Sequence, residues 1–401
     1  MYQFIENGTI TSVPGIQAAG IFSGIKKKKK DLALILSLSP ATVAGTFTLN
    51  KVKAAPLLIS QSVVRAGGKI KAILVNSGNA NACTGEPGMQ DALTCQQWVA
   101  DALGISTREV LISSTGVIGQ RLPMPVVEAG IKAIVPQVNP DGGLDAAEAI
   151  LTTDTRIKSY AVEVQLSHGT VTIGGIAKGS GMIMPNMATM LGFLATDAAI
   201  PSPVLQGLLT YAVSHSFNKI TVDGDTSTND MVTLMANGTS GMAILEGTED
   251  YQTFRNALHA ICLEMAKAII VDGEGATKLV EVQVHGAATE ADADKIARAI
   301  ANSPLVKTAI HGEDANWGRI ISAAGYSGAD FDPAEVSIHF DDLAVFLPGY
   351  QIVLDEEEAL KRLSKSELRL TIRVGSGPGS TTWYTCDLSA DYIRINADYR
   401  S

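Results

Sequence analysis

The chain has 401 residues, of which 46% are hydrophobic and 18% charged, and its formal net charge is −10. This composition excludes general disorder and favours two or three domains around a large buried core. The negative charge argues against nucleic acid as the main partner.

The cysteines and the apolar stretches indicate the compartment. Four cysteines show no Cys-x-x-Cys spacing and no pairing with histidines, so we predict neither disulfides nor zinc, and a reducing cytoplasmic location. We also expect no secretion signal, because the first residues show no cationic stretch followed by an apolar one. Two long uncharged stretches, residues 179–196 and 198–218, contain proline, glycine and polar residues. They indicate buried chain rather than membrane spans, so no membrane partner is predicted.

Helix-like and strand-like segments alternate through the first 270 residues. The hydrophobic periodicity predicts strands at 31–37 and 69–75, a hairpin around Ser167-His168-Gly169, and helices at 88–104, 125–135, 203–214 and 250–269. Mixed sheets covered by helices are the expected architecture.

The pattern changes after residue 275. Alternating valines at 280, 282 and 284 predict a strand, and residues 291–301 predict a helix. Further strands are expected at 336–340, 368–374 and 381–387, the last two flanking a Gly-Ser-Gly-Pro-Gly turn. We therefore predict a main domain over residues 1–275 and a smaller α+β domain over residues 276–401.

Three motifs do not fit a ligand site well. The lysine run 26–30 is better interpreted as a solvated loop than as a phosphate or RNA patch. Residues 177–180, Ala-Lys-Gly-Ser, reverse the order of a phosphate-binding loop. No two of the six histidines have i, i+4 spacing, so no metal site is predicted.

The segment at residues 178–197 has the sequence KGSGMIMPNMATMLGFLATD. Its second half, residues 189–196, predicts a buried strand that is entered through a loop rich in glycine and proline. Composition alone favours this purely structural interpretation.

The same segment resembles the cleavage site of the ornithine acetyltransferase family, the bifunctional glutamate N-acetyltransferases of arginine biosynthesis. The likeness continues along the chain in motifs that occur in the family's order: NSGNANACTG from Asn76, SSTGVIG from Ser113, ITVDGDTSTND from Ile220, DGEGATK from Asp272, DANWGR from Asp314, and the last ten residues. The presence of all of them in order makes the resemblance specific.

This resemblance implies a self-cleaving enzyme. Scission between Ala188 and Thr189 would give an α chain, 1–188, and a β chain, 189–401, that stay associated and pair into (αβ)2. The implied fold is a mixed α/β, αββα-type sandwich of the ornithine acetyltransferase and DmpA-like aminopeptidase kind, with a smaller C-terminal α+β domain. Thr189 would be the nucleophile, and Thr115 and Gly116 would stabilise the oxyanion.

The resemblance also implies the substrates. The acetyl group would pass from N-acetylornithine to glutamate, with acetyl-CoA as an additional co-substrate and no bound cofactor or metal. The substrate-binding residues would be Thr152, Lys178, Thr189, Glu274, Asn396 and Ser401. Whether Lys178 or Glu274 meets the substrate carboxylate stays open, although a lysine suits a carboxylate and a glutamate suits an ammonium.

A free amino group on Thr189 would be a suitable base. Its pKa of about 7.7–8.0 leaves roughly one molecule in seven neutral at pH 7, a penalty of about 1 kcal/mol. A lysine with an ordinary pKa near 10.4 would cost over about 4 kcal/mol. No catalytic histidine is then required. The amine does not exist before cleavage, and the sequence does not identify the base for that first step.

Two alternatives remain. A related N-terminal-nucleophile aminopeptidase or amidase would release the acyl group to water, and a non-enzymatic protein would bind polyanions through the lysine run. The acidic residues Asp223, Asp225 and Asp230 miss the spacing of a calcium loop and are interpreted as caps and turns near the site.

Overall fold

The computed structural model describes residues 1–184 and 190–398, which divide into two compact units. The first unit contains residues 1–184, 190–218 and 225–269, and the second contains 219–224 and 270–398. The sequence analysis placed a boundary after residue 275. The units divide after Ile269, and the second also takes residues 219–224 because their short strand pairs within its sheet.

The first unit is built on one nine-stranded sheet. Its strands are β1 (Tyr2–Phe4), β2 (Ile16–Ile21), β3 (Leu32–Phe47), β4 (Lys69–Asn79), β5 (Val110–Val117), β6 (Lys158–Gln165), β7 (Thr170–Lys178), β8 (Leu191–Thr196) and β10 (Met231–Ala236). They lie in the order β1-β6-β7-β8-β10-β3-β4-β5, and β2 pairs with β3. The pairs β4–β5 and β8–β10 are parallel, and the remaining pairs are antiparallel.

The helices of the first unit pack against this sheet. They are α1 (Ala55–Arg65), α2 (Gly85–Leu103), α3 (Met124–Ile134), α4 (Gly143–Ala149), α5 (Ser202–Ser214) and α6 (Glu249–Val271). The predicted end of α2 is confirmed: Gly104 adopts the left-handed conformation, with φ +64°, and its N–H bonds the carbonyls of Ala100 and Asp101.

The two halves of the sheet share one core. Ile35 of β3 and Ile73 of β4 belong to the same buried cluster as Phe193 of β8 and Met235 of β10. The opposite faces carry helices: Leu34 packs in a cluster with Val99 of α2 and Ile131 of α3. On the other half, Met265 of α6 packs over Gly175 of β7. Helices, half-sheet, half-sheet and helices form the predicted αββα sandwich, which is confirmed.

The second unit holds a seven-stranded sheet in the order β14-β13-β12-β15-β11-β16-β9. Its strands are β9 (Ile220–Thr221), β11 (Leu279–Ala287), β12 (Ser337–Phe340), β13 (Leu343–Leu347), β14 (Gln351–Ile352), β15 (Glu367–Arg373) and β16 (Gly379–Cys386). Its helices are α7 (Glu290–Asn302), α8 (Pro304–His311), α9 (Trp317–Gly325), α10 (Glu356–Leu363) and α11 (Ala390–Asp398). Alternate residues of β11 (Val280, Val282 and Val284) enter its core, as the predicted α+β fold requires.

The sequence-predicted helices and the hairpin are confirmed to within a few residues, but one strand is much longer than predicted. The strand expected at 31–37 continues to Phe47, because residues 42–47 pair with β10. Within the described residues, no helix combines the length and apolar character needed to cross a bilayer.

We predict that Gly20→Ala destabilises the first unit. Gly20 lies on β2 under α4, and an added Cβ would lie only 1.9 Å from the carbonyl oxygen of Asp145, so strand and helix would have to separate. The expected loss in free energy of unfolding is about 1–3 kcal/mol, measured by urea denaturation. The matched control is Gly207→Ala, on the exposed side of α5 with open space around it. That substitution should gain about 0.5–1 kcal/mol. Equal effects would contradict the packing argument.

Candidate active site

The predicted oxyanion residues lie where two parallel strands end side by side. Thr115 of β5 is paired with Ser77 of β4, and Gly116 with Gly78. Gly116 has φ +130°, and a Cβ there would lie 2.3 Å from the backbone carbon of Gly78. Only glycine fits this contact. The close packing holds the backbone around Thr115 in a defined position.

A buried network of amide side chains supports these strand ends. Ser114 donates its hydroxyl to Oδ1 of Asn76 at 2.6 Å. Asn229 donates from Nδ2 to the carbonyl oxygens of Ala80, at 2.7 Å, and Ser114, at 2.8 Å. These residues come from three of the motifs that carried the family resemblance. Their side chains satisfy backbone groups, so much of those motifs builds the frame of the site.

Lys178, at the end of β7, reaches the predicted oxyanion residues. Its Nζ donates to Oγ1 of Thr115 at 3.4 Å, and the side chain is largely buried. The same Nζ lies 3.9 Å from Oδ2 of Asp154. Asp154 in turn accepts the backbone N–H of Thr152 at 3.0 Å. The structure thus brings the predicted residues Thr115, Gly116, Thr152 and Lys178 into one connected group.

Asp154 is the centre of this group. It is buried, and its Oδ1 accepts a hydrogen bond from Nζ of Lys158 at 2.8 Å and another from the N–H of Gly179 at 2.6 Å. Burial alone would raise the pKa of this carboxyl, but the charges of Lys178 and Lys158 and the donated bonds hold the pKa below its ordinary value. Asp154 is therefore an anion that fixes two lysines and the backbone on either side.

Lys26 adds a third positive charge. Its Nζ donates to the carbonyl oxygen of Leu151, beside Thr152, at 3.0 Å, and its stem lies over Gly78. Burial lowers the pKa of Lys26, and the charges of Lys29 and Lys178 contribute to this shift. The lysine run is therefore divided: Lys27 to Lys29 are exposed, as the solvated-loop interpretation predicts, whereas Lys26 turns towards the site.

The predicted nucleophile Thr189 and its neighbour Ala188 lie outside the described residues, but the chain on either side of them is fixed. Met184 donates its N–H to the carbonyl of Asp225 at 2.8 Å. Met190 accepts the N–H of Met231 at 3.1 Å, and its own N–H bonds the carboxyl of Asp230. Both flanks are thus held by residues 225–231.

Two predicted substrate-binding residues meet within the second unit. Nδ2 of Asn396, on α11, donates to Oε2 of Glu274 at 2.8 Å. Ser389 ties the same region together by donating to the carbonyl of Gly275 at 2.6 Å. Ser401 lies outside the described residues. Within the described part of the chain, no group of three or more histidine, cysteine or acidic residues is placed to hold a metal ion.

The sequence did not single out Asp154 or the role of Lys26. Asp154 stands in the polar stretch LTTDTR, which has the appearance of a surface loop. Its burial depends on β7 and on Lys178, which is 24 residues away in the sequence. No local sequence pattern indicates such a contact.

Comparison with known proteins decides the family. The model of the ArgJ family matches residues 17–401. The chain belongs to the ArgJ family. The arginine biosynthesis bifunctional protein ArgJ of Symbiobacterium thermophilum is 50% identical over 398 residues, covering 98% of this chain and 99% of the relative. The protein of the same name from Chlorobaculum tepidum is 51% identical over 388 residues, 96% of each chain.

A solved structure of the same name matches part of this chain. A crystal structure of the Bacillus halodurans ArgJ is 45% identical, with a TM-score of 0.45, and covers 47% of this chain and 98% of that one. The resemblance to the ornithine acetyltransferase family, drawn above from the motifs, is thereby confirmed as ArgJ membership on the strength of the full-length relatives.

For this ArgJ chain we predict that Asp154→Asn is strongly destabilising. The change removes the carboxylate that pairs with Lys158, a side chain that is only 1% exposed, and we expect a loss of about 3–5 kcal/mol in free energy of unfolding. Glu128→Gln, which breaks an exposed pair with Lys132 on α3, is the control and should cost less than about 1 kcal/mol.

The difference in free energy of unfolding between the parent and Asp154→Asn should depend on pH. Because the folded-state pKa of Asp154 is lowered, its stabilisation is present above the ordinary pKa of 3.8 and is lost as the pH falls towards the folded value. The difference between the parent and Asp154→Asn should be full at about pH 6 and shrink below about pH 4. A difference that does not change with pH would contradict the assignment of a buried carboxylate.

Proposed function

We propose that the protein is an acetyltransferase of arginine biosynthesis, which moves the acetyl group of N-acetylornithine to glutamate through an acetyl ester on Thr189. Family membership over nearly the whole chain supports this activity, because its relatives are named as bifunctional enzymes of that pathway. The observation that carries the mechanism is the contact of Lys178 with Thr115, beside the constrained Gly116.

The proposed turnover has two half-reactions. The hydroxyl oxygen of Thr189 attacks the acetyl carbonyl while the amino group of Thr189 accepts the hydroxyl proton. The hydroxyl of Thr115 and the N–H of Gly116 stabilise the oxyanion, and the proton then passes to ornithine as it leaves. Glutamate attacks the ester with its amine and gives up a proton to the same base, which returns it to the Thr189 oxygen as N-acetylglutamate leaves.

The charges at the site suit anionic substrates. Lys26, Lys158 and Lys178 gather around the carboxylate of Asp154, and the charge of Asp31 also acts on Lys26. N-acetylornithine and glutamate both carry an α-carboxylate, which we assign to Lys178. Glu274 and Asn396 keep their predicted role towards the substrate, with Glu274 suited to an ammonium group. Thr152 and Ser401 keep theirs as well.

The remaining parts of the proposal follow the family. We propose acetyl-CoA as a second acetyl donor, with no resident cofactor, and a cytoplasmic enzyme assembled from two α and two β chains. Release of free thiol from acetyl-CoA, dependent on added glutamate, measures the second activity directly.

We predict that Thr189→Ala prevents processing. Intact-mass measurement of the purified parent should give two chains, 1–188 and 189–401, whereas the variant should give one species of 42.0 kDa. Removal of the hydroxyl leaves nothing to attack the preceding carbonyl, so the variant should also be inactive. A single full-length species in the parent would contradict the proposal.

Acetyl labelling separates transfer from hydrolysis. Brief incubation with N-acetylornithine should add one acetyl group to the fragment that begins at residue 189, and glutamate should remove it. Release of acetate at the same rate without glutamate would favour the aminopeptidase or amidase alternative. Label on another residue would reassign the nucleophile.

We predict that Thr115→Ala lowers kcat by about 10²–10³ with a smaller change in KM, because the lost hydroxyl acts on the oxyanion rather than on the ground state. Thr115→Ser keeps the hydroxyl and should retain most of the activity. Thr210→Ala, an exposed position on α5, serves as control and should behave as the parent. Full activity of Thr115→Ala would remove Thr115 from the proposed oxyanion site.

A further inference from the structure

Residues 27–29 are three consecutive exposed lysines that the proposed turnover does not use. Among the described residues, none of these three side chains forms an ion pair with a carboxylate. The whole chain has a formal net charge of −10, so three adjacent unpaired cations make a concentrated patch of the opposite sign. Exposure alone is typical of a solvated loop, but this loop is also fixed at both ends and lies beside the candidate site.

Asp31 fixes the start of the loop. It is fully buried, and its Oδ1 accepts hydrogen bonds from the N–H of Ser23 at 2.6 Å and from the Ser23 hydroxyl at 2.7 Å. Its Oδ2 accepts the N–H of Gly24 at 3.1 Å and that of Lys26 at 2.9 Å. One carboxylate thus satisfies four donors and defines the backbone path up to the first lysine of the run.

Lys30 fixes the other end of the loop. Its Nζ forms ion pairs with two carboxylates of α4, that of Asp145 and, at 2.9 Å, that of Glu148. Just before it, Lys29 adopts the left-handed conformation, with φ +70°, and so turns the chain back towards α4. The exposed lysines are therefore held between two anchors, which lowers the entropy that the loop loses when it binds a ligand.

The loop begins directly over the predicted oxyanion residues. A Cβ on Gly78 would lie 2.6 Å from Cγ of Lys26, and Gly78 is the partner of Gly116 on the neighbouring strand. Nζ of Lys26 bonds the carbonyl of Leu151, which directly precedes Thr152. The first lysine of the run is therefore part of the wall of the candidate site.

The exposed lysines follow at short range. Consecutive Cα atoms are about 3.8 Å apart, so Cα of Lys29 lies within about 12 Å of Cα of Lys26. The charge of Lys29 acts on Lys26. The three exposed ammonium groups thus lie at the rim of the candidate site rather than on a remote surface.

Three adjacent ammonium groups suit a ligand that carries several phosphate charges. Lysine binds phosphate oxygens as a mobile point charge, through charge-assisted hydrogen bonds. N-acetylornithine and glutamate have no phosphate. Acetyl-CoA, the second donor proposed above, has three phosphate groups, and a flexible arm separates them from its acetyl thioester. A thioester at the strand ends would therefore leave its phosphates at the rim.

We propose that Lys27, Lys28 and Lys29 bind the phosphate groups of acetyl-CoA at the rim of the candidate site, an inference that rests on the proposed second acetyl donor. Asp31 and Lys30 position the loop for this contact. A donor without phosphate does not use the three lysines. The loop therefore distinguishes the two acetyl donors, although both deliver the same group.

The test is steady-state kinetics of the purified protein with each acetyl donor. The triple variant Lys27→Gln, Lys28→Gln, Lys29→Gln should raise KM for acetyl-CoA about tenfold, because three exposed ion pairs are lost. Glutamate-dependent release of free thiol measures this activity. With N-acetylornithine as donor, kcat and KM should stay within about twofold of the parental values, because no contact to that substrate is removed.

The matched control removes three other exposed lysines, which belong to the second unit and pair with carboxylates. Its substitutions are Lys295→Gln, Lys361→Gln and Lys365→Gln. The control changes the net charge by the same amount as the triple variant, and its KM for acetyl-CoA should equal that of the parent. An equal rise in both variants would reflect overall charge and would contradict the proposal.

S-acetylpantetheine identifies the group that is bound, because it has the same thioester but no phosphate. KM of the parent should be about tenfold higher for S-acetylpantetheine than for acetyl-CoA, and the triple variant should treat the two alike. Added salt should weaken the parental preference by screening the exposed charges. A parent without the preference, or a triple variant that keeps it, would overturn the proposal.

Two competitors separate phosphate from the rest of the nucleotide. Inorganic diphosphate should compete with acetyl-CoA in the parent and lose this effect in the triple variant, whereas adenosine should compete in neither. Competition by adenosine alone would assign the preference to the base and overturn the proposal.

Equilibrium binding of CoA, measured by titration calorimetry, separates this site from the proposed function. A parent that binds CoA about tenfold more tightly than the triple variant, but transfers no acetyl group, would support the site and sink the proposed activity. A parent that transfers acetyl from N-acetylornithine and does not bind CoA would overturn the site and leave that activity standing. Binding of single-stranded RNA through the same lysines, without binding of CoA, would also overturn it.

Discussion

The hydrogen bonds and ion pairs of Asp154 are the interaction on which the candidate site depends. One buried carboxylate accepts bonds from the N–H groups of Thr152 and Gly179 and from the ammonium of Lys158, and it lies within 4 Å of Lys178. A lysine as buried as Lys158 would be strongly destabilising without such a partner. The end of β7 and the loop before β6 are thereby joined at one anion, and the position of Lys178 against Thr115 follows from that junction.

The pKa values of two buried carboxyls in the first unit are shifted in opposite directions. Lys178 acts on both, yet the pKa of Asp154 is lowered and that of Asp230 is raised. The difference lies in what each oxygen receives: Asp154 has an ammonium and two backbone donors at short distance, whereas Asp230 has hydroxyls, one N–H and an oxygen with no described partner. Two carboxyls within the field of one lysine thus differ in pKa because they receive different hydrogen-bond donors.

The sequence predicted what is local. Periodicity identified α2, α5, α6 and the β6–β7 hairpin, and the motifs identified the family, because these depend on neighbours in the chain. It did not predict the second half of β3, whose partner β10 is about 190 residues away, or the transfer of β9 to the second sheet. Asp154 was missed as a site residue for the same reason, because its burial comes from distant strands and nothing within a few residues of it indicates burial.

The order of strands in the first sheet has a consequence for how the protein can be made. A cut between residues 188 and 189 separates β7 from β8 in sequence, yet β8 and β10 lie between β7 and β3, with a six-residue ladder along each outer edge. The later fragment would thus be interleaved within the earlier one, and neither could leave without dismantling the sheet. An intact chain assembles this arrangement as a single molecule, whereas two separated pieces would have to find each other and interdigitate. After scission, unfolding would be irreversible in practice, because the separated fragments would not readily refold together. The native state would then persist through its kinetic barrier to unfolding.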